Sequence, residues 1–159
     1  MNDAVNLILN SSLGGELSTD EAAELSGLMN LRELKDDEYL IEEGTTDDSL
    51  HVLLAGKLEV MKRTASDGTA SLAILREGNL AGELSFVDGE VHTVGLRAMC
   101  DSLVLSLRRE DFEMIIDKHP QLVYKVMRAV ARSAHRIVHR MNTECIELTN
   151  YIFKQHGRY

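Results

Sequence analysis

Apolar positions along the chain change period twice. Up to about Asn30 they recur at helical spacing. In "LSTDEAAELSGLM", Ala22, Leu25, Leu28 and Met29 share one face, and Ser18 with Glu21 three residues on forms a capping box. From about Leu31 to Leu107 the runs shorten and alternate, as in "YLIEEG", "SLHVLLAGKLEVMKR", "ASLAILREG" and "TVGLRAMCDSLVLSLR". Turn signals divide them at Gly44, Gly56, Asp67-Gly68, Gly78 and Asp88-Gly89. Asp67-Gly68 is the strongest hairpin signal, between strands expected at residues 58–63 and 70–75.

Helical spacing returns in "RREDFEMIIDKH", and Pro120 is well placed to open a second helix. From there to about Phe153 no proline or glycine interrupts, a run of roughly 50 Å as helix. Met127, Val130, Ala134, Ile137, Met141 and Leu148 keep a three-four spacing along it, with Glu144 the one interruption and Tyr151 continuing it, and Ala131, Val138, Cys145 and Ile152 widen the stripe. A helix this long cannot bury the whole stripe on its own small domain, so a parallel two-helix seam in a homodimer is expected, with those six residues at the interface.

Helices, then strands, then helices predict an α+β fold. The expectation is one domain over residues 1–159: N-terminal helices (1–30), an antiparallel jelly-roll β-barrel (31–107) and C-terminal helices with the dimerisation helix (108–159).

Composition adds limits. No stretch approaches the roughly 18 apolar residues of a membrane span, and "MNDAVNLILNSSLGGEL" has no basic leader region. Cys100 and Cys145 are far apart and have no metal-ligand spacing. The expected setting is a reducing cytoplasm. Charge is uneven: residues 1–50 hold 13 acids and 2 bases, residues 120–159 hold 2 acids and 7 bases. The basic segment is read as packing beside acidic N-terminal helices of its own chain or its partner rather than as a nucleic-acid tail.

The stretch "GELSFVDGEVHTV" places Glu83 and His92 on the two arms of a tight, otherwise apolar loop. With "YLIEEG…SLHVLLAGKLEV…LREGNLAGELSFVDGEVHTVGLRA", it resembles the cyclic nucleotide-binding domain of bacterial catabolite activators, protein kinase A regulatory subunits and nucleotide-gated channels. The resemblance runs from about Leu17 to Met141. It implies a ligand loop in which Gly82 lets the backbone come close, Glu83 takes a ribose 2′-hydroxyl, and N–H groups of Leu84 and Ser85 cradle a phosphate. Leu84 and Phe86 are expected to pin this loop to the core. His92 and Thr93 complete the ligand set, with cAMP or cGMP the candidate ligand and no other cofactor.

Two departures stand out. His92 occupies the position of the family's phosphate-pairing arginine, and a histidine offers neither its permanent charge nor its two-pronged fork. Ile137 and Val138 stand where the bacterial activators bring polar groups to the base. The sequence also runs to Tyr159 with no helix-turn-helix after the long helix. Direct DNA binding and membrane association are therefore not expected, and an unknown protein partner is.

Enzyme chemistry finds little support. No His-x-His occurs, and His51 and His92 stand apart. His135 and His139 share a helix face but lie beside Arg136 and Arg140. No nucleophile elbow is present. The sequence reads as a non-enzymatic sensor signalling through its C-terminal helix. The alternative is a scaffold of the same fold that has lost its ligand and serves in dimerisation and docking.

Overall fold

The computed structural model describes residues 2–157, so Met1, Arg158 and Tyr159 of the expected domain lie outside the described residues. Two helices come first, α1 (Asn2–Leu9) and α2 (Thr19–Leu28). The capping box forms as expected: the Ser18 hydroxyl accepts from the Glu21 N–H, and the Glu21 carboxylate accepts from the Ser18 N–H at 2.8 Å. Strands β1 (Asn30–Leu34), β2 (Tyr39–Ile41), β3 (Ser49–Ala55), β4 (Leu58–Arg63), β5 (Thr69–Leu75) and β6 (Leu80–Ala81) follow. Helix α3 (Glu83–Asp88), strands β7 (Gly95–Ala98) and β8 (Ser102–Arg108), and helices α4 (Arg109–Glu113) and α5 (Pro120–His156) complete the order.

The strands form two four-stranded antiparallel sheets, ordered β1-β8-β3-β6 and β2-β7-β4-β5. The arrangement is jelly-roll-like, but the sheets do not close into the barrel expected from the sequence. The Asp67-Gly68 hairpin forms, joining β4 to β5, though not as a two-residue turn. The loop spans residues 64–68, closed by the Thr64 N–H on the Gly68 carbonyl at 2.9 Å, and Asp67 alone takes the left-handed conformation (φ 60°).

The first sheet is covered on both faces, which explains why "SLHVLLA" in β3 reads as a nearly unbroken apolar run. Leu50, Val52 and Leu54 face a core built with α1, α2 and α5, while Leu53 faces a second core between the sheets with Leu58, Leu96 and Val104. Against β7 the register of β4 is regular, whereas against β5 it shifts between Val60 and Met61. Leu58 and Val60 point between the sheets and Glu59 points out to Arg97.

The long helix runs 37 residues, from Pro120 as expected. Its early turns pack on the chain itself, through Leu122, Val126, Ala129 and Val130. Its basic groups meet acidic residues of the first 24: Lys125 pairs with Glu21, Arg128 and Arg132 with Glu16, and His119 with Glu24. The charge asymmetry of the sequence is thus met within one chain.

Candidate functional site

Helix α3 and the segment after it form the loop singled out by the sequence. Gly82 turns the chain from β6 into α3 at φ 74°, and a methyl group on it would sit 2.7 Å from the Ser49 carbonyl and 3.3 Å from His51 Cδ2. Only glycine fits both the conformation and the approach. Phe86 anchors the helix from beneath, 2% exposed and with its ring 5.3 Å from that of Phe112. Leu84, expected to share that role, instead points outward and is 59% exposed.

Of the candidate residues, Glu83, Ser85 and His92 are drawn inward and buried, Gly82 is half-buried, and Leu84 and Thr93 are exposed. Glu83 faces the long helix, where the Ser133 hydroxyl donates to its Oε1 at 2.6 Å. Ser133 is itself buried. One short bond therefore joins the loop helix to α5.

His92 is tied to the β2–β3 loop (residues 42–48) three times. Its N–H donates to Thr45, its carbonyl accepts from the Gly44 N–H, and its ring Nε2–H donates to the Asp47 carbonyl at 2.8 Å. A carbonyl can only accept, so that bond assigns the proton to Nε2. The remaining nitrogen, Nδ1, lies 3.2 Å from the Ser85 hydroxyl.

A second buried histidine stands behind Gly82. His51, on β3 facing between the sheets, sets Nδ1 2.7 Å from the Ser106 hydroxyl and Nε2 3.2 Å from Asp47 Oδ2. The bond from His51 outweighs partial burial and holds the Asp47 carboxyl down at about 2. Ser106, His51, Asp47, His92 and Ser85 thus form one hydrogen-bonded series, in which His51 meets the Asp47 carboxylate and His92 the Asp47 main-chain carbonyl. No buried side-chain nitrogen or oxygen among the described residues lacks a partner.

Sequence reasoning missed Asp47, His51, Ser106 and Ser133 as parts of this site. His51 carried a signal, a polar residue inside an apolar strand. Ser133 and Ser106 carried none, because a small hydroxyl on a strand or helix is compatible with any face.

Two clefts open at the rim. One of about 310 Å³ is lined by Tyr39, Glu42, Glu43, Met61, Lys62, Arg63, Thr69 and Gly95. The other, about 160 Å³, is lined by Thr46, Asp47, Asp48, Gly89 and Glu90. Neither is lined by Glu83 or His92, which are only 5% and 6% exposed. In the first cleft the Lys62 ammonium donates to Glu43 Oε1 at 2.9 Å and to the Thr93 carbonyl at 2.7 Å. The Arg63 N–H, first, and then Lys62 hold the Glu43 carboxyl below its usual range.

Among the described residues no group of three or more metal-ligating side chains occurs, and no helix is long and apolar enough to cross a membrane.

The family model for the cyclic nucleotide-binding domain matches residues 31–119, more than half of the chain. The Neuropathy target esterase sws of Drosophila melanogaster is 24% identical over 164 residues, an alignment taking in 99% of this chain and 12% of that protein. The chain thus spans about an eighth of the curated relative's length. A cyclic nucleotide-binding domain from Methylobacillus flagellatus superposes with a TM-score of 0.82 at 21% identity, covering 92% of this chain and 82% of that one. The catabolite activator protein of Thermus thermophilus gives 0.76 at 23%, covering 87% and 63%. A regulatory subunit of a cAMP-independent protein kinase A from Trypanosoma cruzi, bound to guanosine, gives 0.68 at 21%, covering 89% and 50%. These likenesses show the fold.

Proposed function

The chain belongs to the cyclic nucleotide-binding domain family, and on that premise we propose that it is a regulatory sensor whose ligand is a cyclic nucleotide or a related ribose-bearing molecule. The ligand enters at residues 82–93 and signals through α5. The observation that carries this reading is the 2.6 Å bond from Ser133 to Glu83. A ribose hydroxyl that donates to the Glu83 carboxylate takes the place now held by Ser133. The ligand then competes with the long helix for one buried acceptor, and occupancy loosens α5 from α3. Binding energy is converted into a helix shift because the two arrangements share that acceptor. A cAMP-bound PfPKA-R and the guanosine-bound Trypanosoma cruzi subunit share this fold, and their ligands have a ribose in common, which fits Glu83 as the anchor.

The output is a helix that continues beyond its own core. From Val138 to Gln155 α5 is exposed, and Val138, Met141, Cys145 and Leu148 repeat at three-four spacing on it. Of the six residues expected at a dimer seam, Val130 lies in the chain's own core and Met127 packs against it. Ala134 and Ile137 are half-buried, and Met141 and Leu148 are exposed. A seam with a second copy, starting near Ile137, covers the exposed stretch.

A second reading has its own support. The burial of Glu83 and His92, with both ring nitrogens of His92 committed, suits a scaffold that no longer takes ligand. Titration of the pure protein with cAMP, cGMP, adenosine and guanosine by calorimetry separates the two. Saturable heat with any of them supports the sensor, and none with all four leaves the scaffold.

A further inference from the structure

We infer that the site in residues 82–93 selects a ribonucleoside without a phosphate over the corresponding cyclic nucleotide. The inference rests on the sensor reading above and concerns which ligand that sensor takes.

A cyclic phosphate needs a cation or a set of free donors where its charge comes to rest. His92 supplies no free donor and, unlike an arginine, no permanent charge. Its Nε2–H is given to the Asp47 carbonyl, and its Nδ1 meets the Ser85 hydroxyl, accepting from it when bare and donating to it when protonated. In both protonation states the ring's hydrogen-bonding capacity stays within the protein.

Behind the start of α3 stands a carboxylate. Asp47, held ionised down to about 2, bonds His51, and His51 Cδ2 lies against Gly82 at the head of the loop helix. The first turn of α3 adds the acid Glu83 and no base. The smaller rim cleft, bordered by Gly89 at the end of the helix, brings Asp47, Asp48 and Glu90 and no base.

Cations that approach from other elements are already engaged. Lys62 is bound to Glu43 and the Thr93 carbonyl, and Arg63 pairs with the same Glu43. Arg109, whose Nη1 approaches Gly89, pairs with Glu113. An incoming phosphate must compete with a carboxylate for each of these cations. A ribose meets no such obstacle, because Glu83 accepts from a neutral hydroxyl. The site therefore discriminates by the repulsive element as much as by the attractive one.

The test compares guanosine with cGMP and adenosine with cAMP, by calorimetry at physiological salt, on the wild type, Asp47→Asn and His92→Arg. Thermal unfolding of each variant first checks that it folds. The expected result is a wild type that binds one nucleoside at least about tenfold more tightly than its cyclic monophosphate, with the gap closing in Asp47→Asn and reversing in His92→Arg. A wild type that prefers the cyclic nucleotide overturns this inference and leaves the sensor reading standing. A wild type preference for the nucleoside that neither variant alters also overturns it, because Asp47 and His92 then do not set the choice. No binding of any of the four to any protein removes the sensor reading, and the inference falls with it.

Discussion

The ring Nε2–H of His92 donates to the main-chain carbonyl of Asp47 at 2.8 Å, so the residue expected to meet a ligand phosphate is bound to the protein's own loop. Combined with its two main-chain bonds to Gly44 and Thr45, it fastens the end of residues 82–93 to residues 42–48. His92→Ala should therefore loosen that loop even without ligand. Faster amide exchange at residues 44–47 and 89–93, with exchange in β3 and β8 unchanged, is the expected result.

Gly82 is the conformational key to the loop. With φ at 74° and the Ser49 carbonyl 2.7 Å from where a methyl group would sit, Gly82→Ala forces either strain or displacement of β3. The expected loss is about 1–3 kcal/mol, a drop of several degrees in the thermal midpoint. An unchanged midpoint would mean that α3 starts elsewhere than Glu83.

Acid stability should show Asp47. Its folded value of about 2 lies below the ordinary 3.8, so ionised Asp47 favours the folded state. That contribution is fully present above about pH 4 and is lost as pH falls towards 2. Because the side chain is 32% exposed, screening reduces the amount to about 1–2 kcal/mol. Denaturant unfolding at pH 6, 4 and 2.5 should show this loss in the wild type and a flatter dependence in Asp47→Asn.

Much of the fold is legible in the sequence, for physical reasons that differ by element. The capping box at Ser18 and Glu21 and the long helix from Pro120 depend on local chemistry and on a sustained 3.6-residue period, which tertiary context did not override. Open sheets in place of a barrel were not legible, since strand pairing is non-local. The turn at Asp67 shows the same limit on a small scale. The Asp-Gly pair correctly marks a hairpin, but its loop length is decided by the register of β4 on β5. At the candidate site, Glu83 and His92 were singled out through the motif. Their partners Ser133 and Asp47 lie 50 and 45 residues away in sequence, and nothing in the local pattern of either points to the other end.

The proposed seam is open to a chemical test. In a parallel pair of α5 helices the two copies of Cys145, exposed and reduced in the single chain, face one another across the axis at a core position. Mild oxidation should then give a covalent dimer in high yield, and Cys100 should contribute none of it. Met141→Glu should abolish both the cross-link and the dimer mass in sedimentation. A monomeric wild type at tens of micromolar would remove the seam.

Ser133 tests the competition directly. Ser133→Ala takes a donor from the buried Glu83 carboxylate, and a loss of about 1–3 kcal/mol in stability is expected. If the ligand and Ser133 compete for Glu83, the same variant should bind the ligand more tightly than the wild type does, since nothing has to be displaced. Equal or weaker binding in a folded Ser133→Ala protein would separate Glu83 from the ligand.

The most direct measurement is amide hydrogen exchange of the full chain with and without the nucleoside or nucleotide that binds most tightly. Two simultaneous changes are expected: slower exchange in residues 82–93 and altered exchange in α5 around Ser133. Protection confined to the loop, with α5 unchanged at saturating ligand, would contradict it, for the ligand would then bind without reaching the helix that is meant to carry its signal.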